Sequence, residues 1–107
     1  MQLYTWHKVD TLKAGALSEG RLTEIFVAGK RVGILKRDST IYAFTAACPH
    51  AGASLCSGWV DGLGRIVCPE HKYRFDPMSG RNTSGEGYKL FTYKVEVRDD
   101  DIYVGWL

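Results

Sequence analysis

Two short segments of this 107-residue chain pair residue types that bind metals: Cys48-Pro49-His50 and Cys68-Pro69-Glu70-His71. Each supplies one soft sulfur and one imidazole nitrogen, and in each a proline follows the cysteine. Proline fixes φ and removes a backbone donor, which suits a stiff turn that aims two side chains at one point. Seventeen residues, Ala51 to Val67, separate the pairs. Two of the three cysteines and two of the three histidines fall in these matched turns, so unconnected core thiols and surface imidazoles describe them poorly. A Cys₂His₂ set can hold a structural zinc ion, but zinc ligands are usually about two to four residues apart. The single residue between Cys48 and His50 is cramped for two ligands of one ion. A binuclear centre relieves that crowding, because the two donors of one turn need not share a metal.

The flanking sequence must position these turns. Leu3 to Val9 reads as a first strand ending at Asp10. Leu22 to Ala28 and Lys30 to Lys36 are β-rich runs split by Gly29, a tight hairpin. Thr40 to Thr45 follows the Asp38-Ser39 turn. At the far end Tyr93 to Arg98 alternates, Asp99 to Asp101 turns, and Ile102 to Trp106 forms a last strand. Period-two alternation with β-branched and aromatic residues is the strand signature, and no stretch keeps helical spacing. The twelve glycines agree with many short turns and an all-β fold. Between the two sets of strands, about residues 46–87 are loop-rich and need something besides hydrophobic burial to order them. Both Cys–His turns lie in this insert. The remainder, about 1–45 and 88–107, forms the supporting base of a single domain.

The other notable residues read as structural. Cys56 is a small buried filler, His7 a strand residue, and Asp76-Pro77-Met78-Ser79-Gly80 a turn finishing the second Cys–His loop. Trp6, Trp59 and Trp106 read as packing, with Trp59 also able to shield a metal site from water. A net charge of +2 is too weak to imply nucleic acid. Arg65, Lys72, Arg74 and Arg81 fall in the insert, either as a solvated surface or as a face that steers a partner. No charged start precedes an apolar run at the N-terminus, and no apolar stretch approaches about 18 residues, so neither a signal peptide nor a membrane span is expected. The expected compartment is the cytosol, and three cysteines do not make a disulfide framework.

C-x-H, about 17 residues and C-x-x-H together resemble the motif of the Rieske family. The resemblance spans nearly the whole chain. It implies an antiparallel β-sandwich with an inserted cluster-binding subdomain and one Rieske-type [2Fe–2S] cluster per chain. Cys48 and Cys68 would bind one iron, His50 and His71 the other. In high-potential members two further cysteines join the loops as a disulfide; the matching residues here are Ala53 and Glu70. Those members also give the cluster a serine and a tyrosine hydroxyl, matched here by Tyr73 and Phe75, and Phe75 has none to give. Lys72 stands where the family commonly has glycine, and Asn82 to Gly87 lacks the proline of the family's covering loop.

The resemblance implies a soluble, monomeric electron carrier between a flavin-dependent, NAD(P)H-dependent reductase and a terminal oxygenase. With no nucleotide-binding glycine pattern and no second metal or nucleophile constellation, the chain reads as an electron-transfer component and not as an enzyme. A small subunit of a nitrite-reductase-type assembly is the alternative, and a module that keeps its cluster for stability or redox sensing a third. Replacing two thiolates with neutral imidazoles raises the potential into a range of roughly −150 to +300 mV, and fewer donors to the sulfurs lower it within that range. A redox titration should therefore find a midpoint near the bottom of that range; a value well above about 0 mV would overturn the reading.

Overall fold

The computed structural model describes residues 3–50 and 52–106. Nine strands form two antiparallel sheets: β1 (Thr5–Lys13), β2 (Leu22–Val27), β3 (Lys30–Arg37), β4 (Thr40–Thr45), β5 (Trp59–Val60), β6 (Ile66–Val67), β7 (Arg74–Phe75), β8 (Thr92–Arg98) and β9 (Asp101–Trp106). Six of them run in the order β1-β9-β8-β4-β3-β2, and the other three in the order β5-β6-β7. Val9 of β1 shares one apolar core with Ile25 and Val27 of β2, so the larger sheet curls until its two edge strands meet across a sandwich.

Three of the tight turns have both central residues in the left-handed region: Ala28-Gly29, Asp38-Ser39 and Asp99-Asp100. Two consecutive positive φ values match the right-handed twist of a two-residue hairpin. Ala28 thus belongs to its turn, and β2 ends at Val27, one residue short of the expected boundary. Asp101 is the first residue of β9 and not the end of the turn. β1 was expected to stop near Val9 and instead runs to Lys13, with a register shift between Lys8 and Lys13. Its far end is held by residues more than eighty positions away. The Asp100 carboxylate accepts the Gly15 amide at 2.7 Å, and Asp101 accepts a hydrogen bond from the Lys13 ammonium.

β3 and β4 are buried on both faces. Val32, Ile34 and Ala43 point into the sandwich core; Leu35 and Phe44 point into a second core with Leu55, Ile66, Phe75, Leu90 and the two thiols Cys48 and Cys68. A strand covered on both sides loses its polar face, which is why β3 reads as the run Val32-Gly33-Ile34-Leu35. Gly33 lies directly opposite Phe44 in the ladder, and a Cβ at Gly33 would stand 2.2 Å from that ring. The missing side chain is what lets Phe44 lie flat and fill the second core. Gly33→Ala should therefore cost about 1–3 kcal/mol through overpacking, read as a lowered urea midpoint with an unchanged slope.

Candidate metal centre

The smaller sheet and two loops assemble the Cys–His turns. Both loops close alike, with the cysteine amide donating to the carbonyl five residues on: Cys48 to Ala53 at 2.7 Å and Cys68 to Tyr73 at 2.8 Å. Each cysteine is thereby drawn inward while the intervening residues arch outward. Cys48 is 2 % exposed and Cys68 0 %, whereas His50 is half-buried and His71 exposed. The loops come together because Gly58, at the end of the first, presses on β6; a Cβ there would sit 1.9 Å from the Val67 carbonyl oxygen. In the second loop His71 and Lys72 both adopt left-handed backbone, with φ of 59° and 61°. Each such non-glycine residue costs on the order of 1–2 kcal/mol, which explains why a glycine would be the relaxed residue at position 72.

The donor atoms have few other uses. The Cys48 and Cys68 thiols are neighbours in the same apolar core. Burial, with the adjacent Cys48 thiol, pushes the Cys68 thiol up to about 11, so a thiolate there requires a positive counter-charge. His50 Nδ1 is buried with no partner, a costly state for a ring nitrogen unless it binds something. The His50 and His71 rings lie 5.0 Å apart, centroid to centroid. The Tyr73 ring packs at a tilt against His50 at 4.3 Å, and Tyr88 packs at a tilt at 5.6 Å. Among the described residues no three Cys, His, Asp or Glu side chains converge on one point, as a mononuclear zinc site would require. Two sulfurs held together and two imidazoles held together suit a binuclear centre, which needs two protein donors per metal.

Three residues that sequence reasoning did not single out fasten this arrangement. Glu24 of β2 binds Arg31 through 2.9 and 3.3 Å contacts and accepts the Ser54 hydroxyl at 2.6 Å, tying the first loop to the large sheet. Arg31 and Ser54 hold its carboxyl below the ordinary value. Asp61 accepts the Leu63 and Arg65 amides, both at 2.9 Å, and the Arg74 guanidinium at 3.2 Å, so it shapes the β5–β6 turn and clips it to β7. Asn82 accepts the Glu86 and Gly87 amides and donates to the Arg74 carbonyl at 3.0 Å, ordering the loop that leads to Tyr88. Asn and Asp at turns were the available signal: the partners of Asp61 and Asn82 lie within thirteen residues, whereas Ser54 is thirty from Glu24.

Several expectations change. Arg74 is committed to Asp61, so the basic residues of the insert do not form one free cationic face; Lys72 and Arg81 remain exposed. Trp59 is 46 % exposed on β5 and does not fill a core. Cys56 sits half-buried in a single 3₁₀ turn, Leu55–Ser57, packed against the second core. Burial and the nearby Glu24 charge push its thiol up to about 11, an unreactive filler. His7 lies on β1 with its ring stacked 4.1 Å from Trp106.

Residues 5–94 match the family model for the Rieske [2Fe–2S] domain. The chain belongs to the Rieske family, and its cofactor is a Rieske-type [2Fe–2S] cluster. It is 31 % identical over 94 residues to the ferredoxin component of the naphthalene 1,2-dioxygenase system of Pseudomonas putida, covering 82 % of this chain and 89 % of that protein. A ferredoxin solved in complex with the oxygenase of carbazole 1,9a-dioxygenase superposes with a TM-score of 0.80 at 26 % identity, over 90 % of this chain and 99 % of that one. A Mycobacterium tuberculosis protein assigned as the small subunit of an NADH-dependent nitrite reductase shares the fold, with a TM-score of 0.86 at 20 % identity over 99 % and 98 % of the two chains.

Asp61 offers a test of how this Rieske chain braces its loops. Burial alone would raise its carboxyl, but the Arg65 and Leu63 amides and the charges of Arg65 and Arg74 outweigh it and hold the group below its ordinary value. A carboxyl lowered on folding stabilises fully above its unfolded value of about 3.9 and loses that contribution as pH falls through the folded one. Asp61→Asn should cost about 1–3 kcal/mol at pH 7, and thermal melts should show the gap to wild type holding down to about pH 4 and narrowing below it.

Proposed function

We propose that this chain is a one-electron carrier delivering electrons from a flavin-dependent, NAD(P)H-dependent reductase to a terminal oxygenase. Cys48 and Cys68 would bind one iron of the cluster, His50 and His71 the other. When bound, the cluster supplies a centre that takes up and releases single electrons. The observation that carries the reading is the division between two thiols sealed in an apolar core and a histidine, His71, exposed at the surface. Deep anchoring with one exposed edge is what transfer to a docked protein asks for. The Cys48 and Cys68 side chains anchor, the two five-residue closures orient the imidazoles, and Tyr73 and Tyr88 keep water from His50.

Ferredoxin relatives from dioxygenase systems support the oxygenase as acceptor. The reductase rests on the need for an electron source. Residues of about 46–87 form the cluster-binding part in this reading and 1–45 with 88–107 its base, the protein working as a cytosolic monomer that transfers electrons without catalysing a reaction of its own. No helix among the described residues is long and apolar enough to cross a membrane. The nitrite-reductase alternative is supported by neighbours assigned as nitrite reductase small subunits, one of them 26 % identical to this chain.

The cluster-loaded protein should elute as a monomer, be reduced by NAD(P)H with trace reductase, and be reoxidised by an oxygenase with its substrate. Stoichiometric co-purification with a larger reductase subunit would instead favour the alternative. His50→Ala and His71→Ala should each abolish the Rieske electron paramagnetic resonance signal and lower the melting temperature, since ligand binding also orders the loops. A normal signal in either variant would overturn the ligand assignment.

A further inference from the structure

A groove of about 950 Å³ opens at one end of the sandwich, where β3 begins, β4 and β9 end and β8 begins. Its apolar lining comes from four aromatic side chains, Tyr4, Phe91, Tyr93 and Trp106. The Tyr93 ring lies 5.1 Å from Phe91 and 5.3 Å from Trp106, so the rings form a continuous wall. Three cations, Lys30, Arg31 and Lys94, also line the groove, and among the described lining residues there is no carboxylate side chain. The described side chains of the lining therefore carry a formal charge of +3.

The cations differ in how they are occupied. Arg31 is held by Glu24, which lies outside the groove. Lys30 stands over the Trp106 ring at 5.4 Å, and neither it nor Lys94 has a carboxylate partner among the described ion pairs. The Thr45 and Tyr93 hydroxyls meet at 3.3 Å in the wall, adding a small polar element. None of these residues is among the proposed cluster ligands.

We propose that this groove is a binding site for a planar aromatic anion, an arene carboxylate of two or three rings. Small-ligand sites are concave, mostly apolar, of roughly 300–1,000 Å³, and carry a few placed polar groups; protein docking faces bury a broader surface of about 800 Å² per partner. Flat rings find stacking partners on the aromatic wall, and a carboxylate reaching the rim meets ammonium groups that lack a counter-charge. The site is independent of the electron-transfer reading and stands or falls separately.

Calorimetric titration of the cluster-loaded protein with 2-naphthoate should give saturable binding with one site per chain. The neutral 2-naphthalenemethanol and the aliphatic hexanoate should each bind at least about tenfold more weakly, because each lacks one of the two recognised features. Lys94→Glu and Lys30→Glu change exposed side chains, and both variants should keep the cluster spectrum. Each should weaken the carboxylate about fivefold or more while leaving the alcohol unchanged. Phe91→Ala should weaken both ligands. Trp106 indole resonances should shift on binding and follow the same isotherm. Equal affinity for carboxylate and alcohol, indifference to both lysine reversals, more than one site per chain, or no saturable binding at millimolar ligand would each overturn the proposal. So would preferential binding of an acidic aromatic peptide, which would make the groove a protein-docking site.

Discussion

Two thiols side by side in an apolar core set the terms for the rest of this molecule. Cys48 and Cys68 sit among Leu35, Phe44, Leu55, Ile66 and Phe75, where an uncompensated thiolate is costly to form. The position is tolerable because the sulfurs are neutral in pairs or bound to metal. It also decides the architecture. The second core must be closed from above by the small sheet and from below by β3 and β4, so those strands have to be apolar on both faces. Gly33 follows from the same demand, since Phe44 reaches the thiol core only across an empty Cβ position.

Loops that carry such residues cannot stabilise themselves. The Cys48 turn has two backbone bonds of its own, Cys48 N–H to the Ala53 carbonyl and Gly52 N–H to the Cys48 carbonyl, and the Cys68 turn has its closure to Tyr73; further order is imported from polar side chains at their bases. Glu24 links the large sheet to the first loop, Asp61 links the β5–β6 turn to β7, and Asn82 links the covering loop to the same strand. These bonds lie at half-buried positions, where a satisfied group contributes on the order of 1 kcal/mol and an orphaned one costs more. The left-handed His71 and Lys72 pair is the strain that this bracing holds in place. The aromatic and cationic groove at the sandwich end touches this bracing at Arg31, the partner of Glu24.

What was legible in the sequence follows from how local its causes are. β4 was read without error because Thr40 to Thr45 alternates between two turns, and the hairpin at Asp38-Ser39 because turn chemistry is written in the turn itself. The last four residues of β1 were missed because Asp100 and Asp101 hold them, and nothing near Leu12 announces partners that distant. β5 is two residues long, too short for any period, and Trp59 was drawn towards the core by composition although its strand faces solvent. The four Cys–His donors stood out because unusual residue types recur at fixed spacing. Glu24, Asp61 and Asn82 did not, because a carboxylate or amide that braces a loop looks like any other until its partner is located. Cys56, expected as a small buried filler, is half-buried against the second core.

The two histidines are not equivalent, and the inequality has a physical source. His50 packs against both Tyr73 and Tyr88, its Nδ1 sealed from solvent, while His71 sits on the arch of a strained turn beside the exposed Lys72. Tyr88 ends the loop that lacks a proline, so a ring takes over the covering that a stiff backbone would otherwise supply. Electron transfer falls steeply with distance, so a partner gains most by approaching the more exposed histidine, whose tyrosine neighbour, Tyr73, is 6.3 Å away. Water, in turn, has least access where Tyr73 and Tyr88 stack. Within the proposed ligand set, the first loop therefore insulates and the second makes contact, a division set by where two tyrosines fall and by the left-handed backbone that lifts His71 outward.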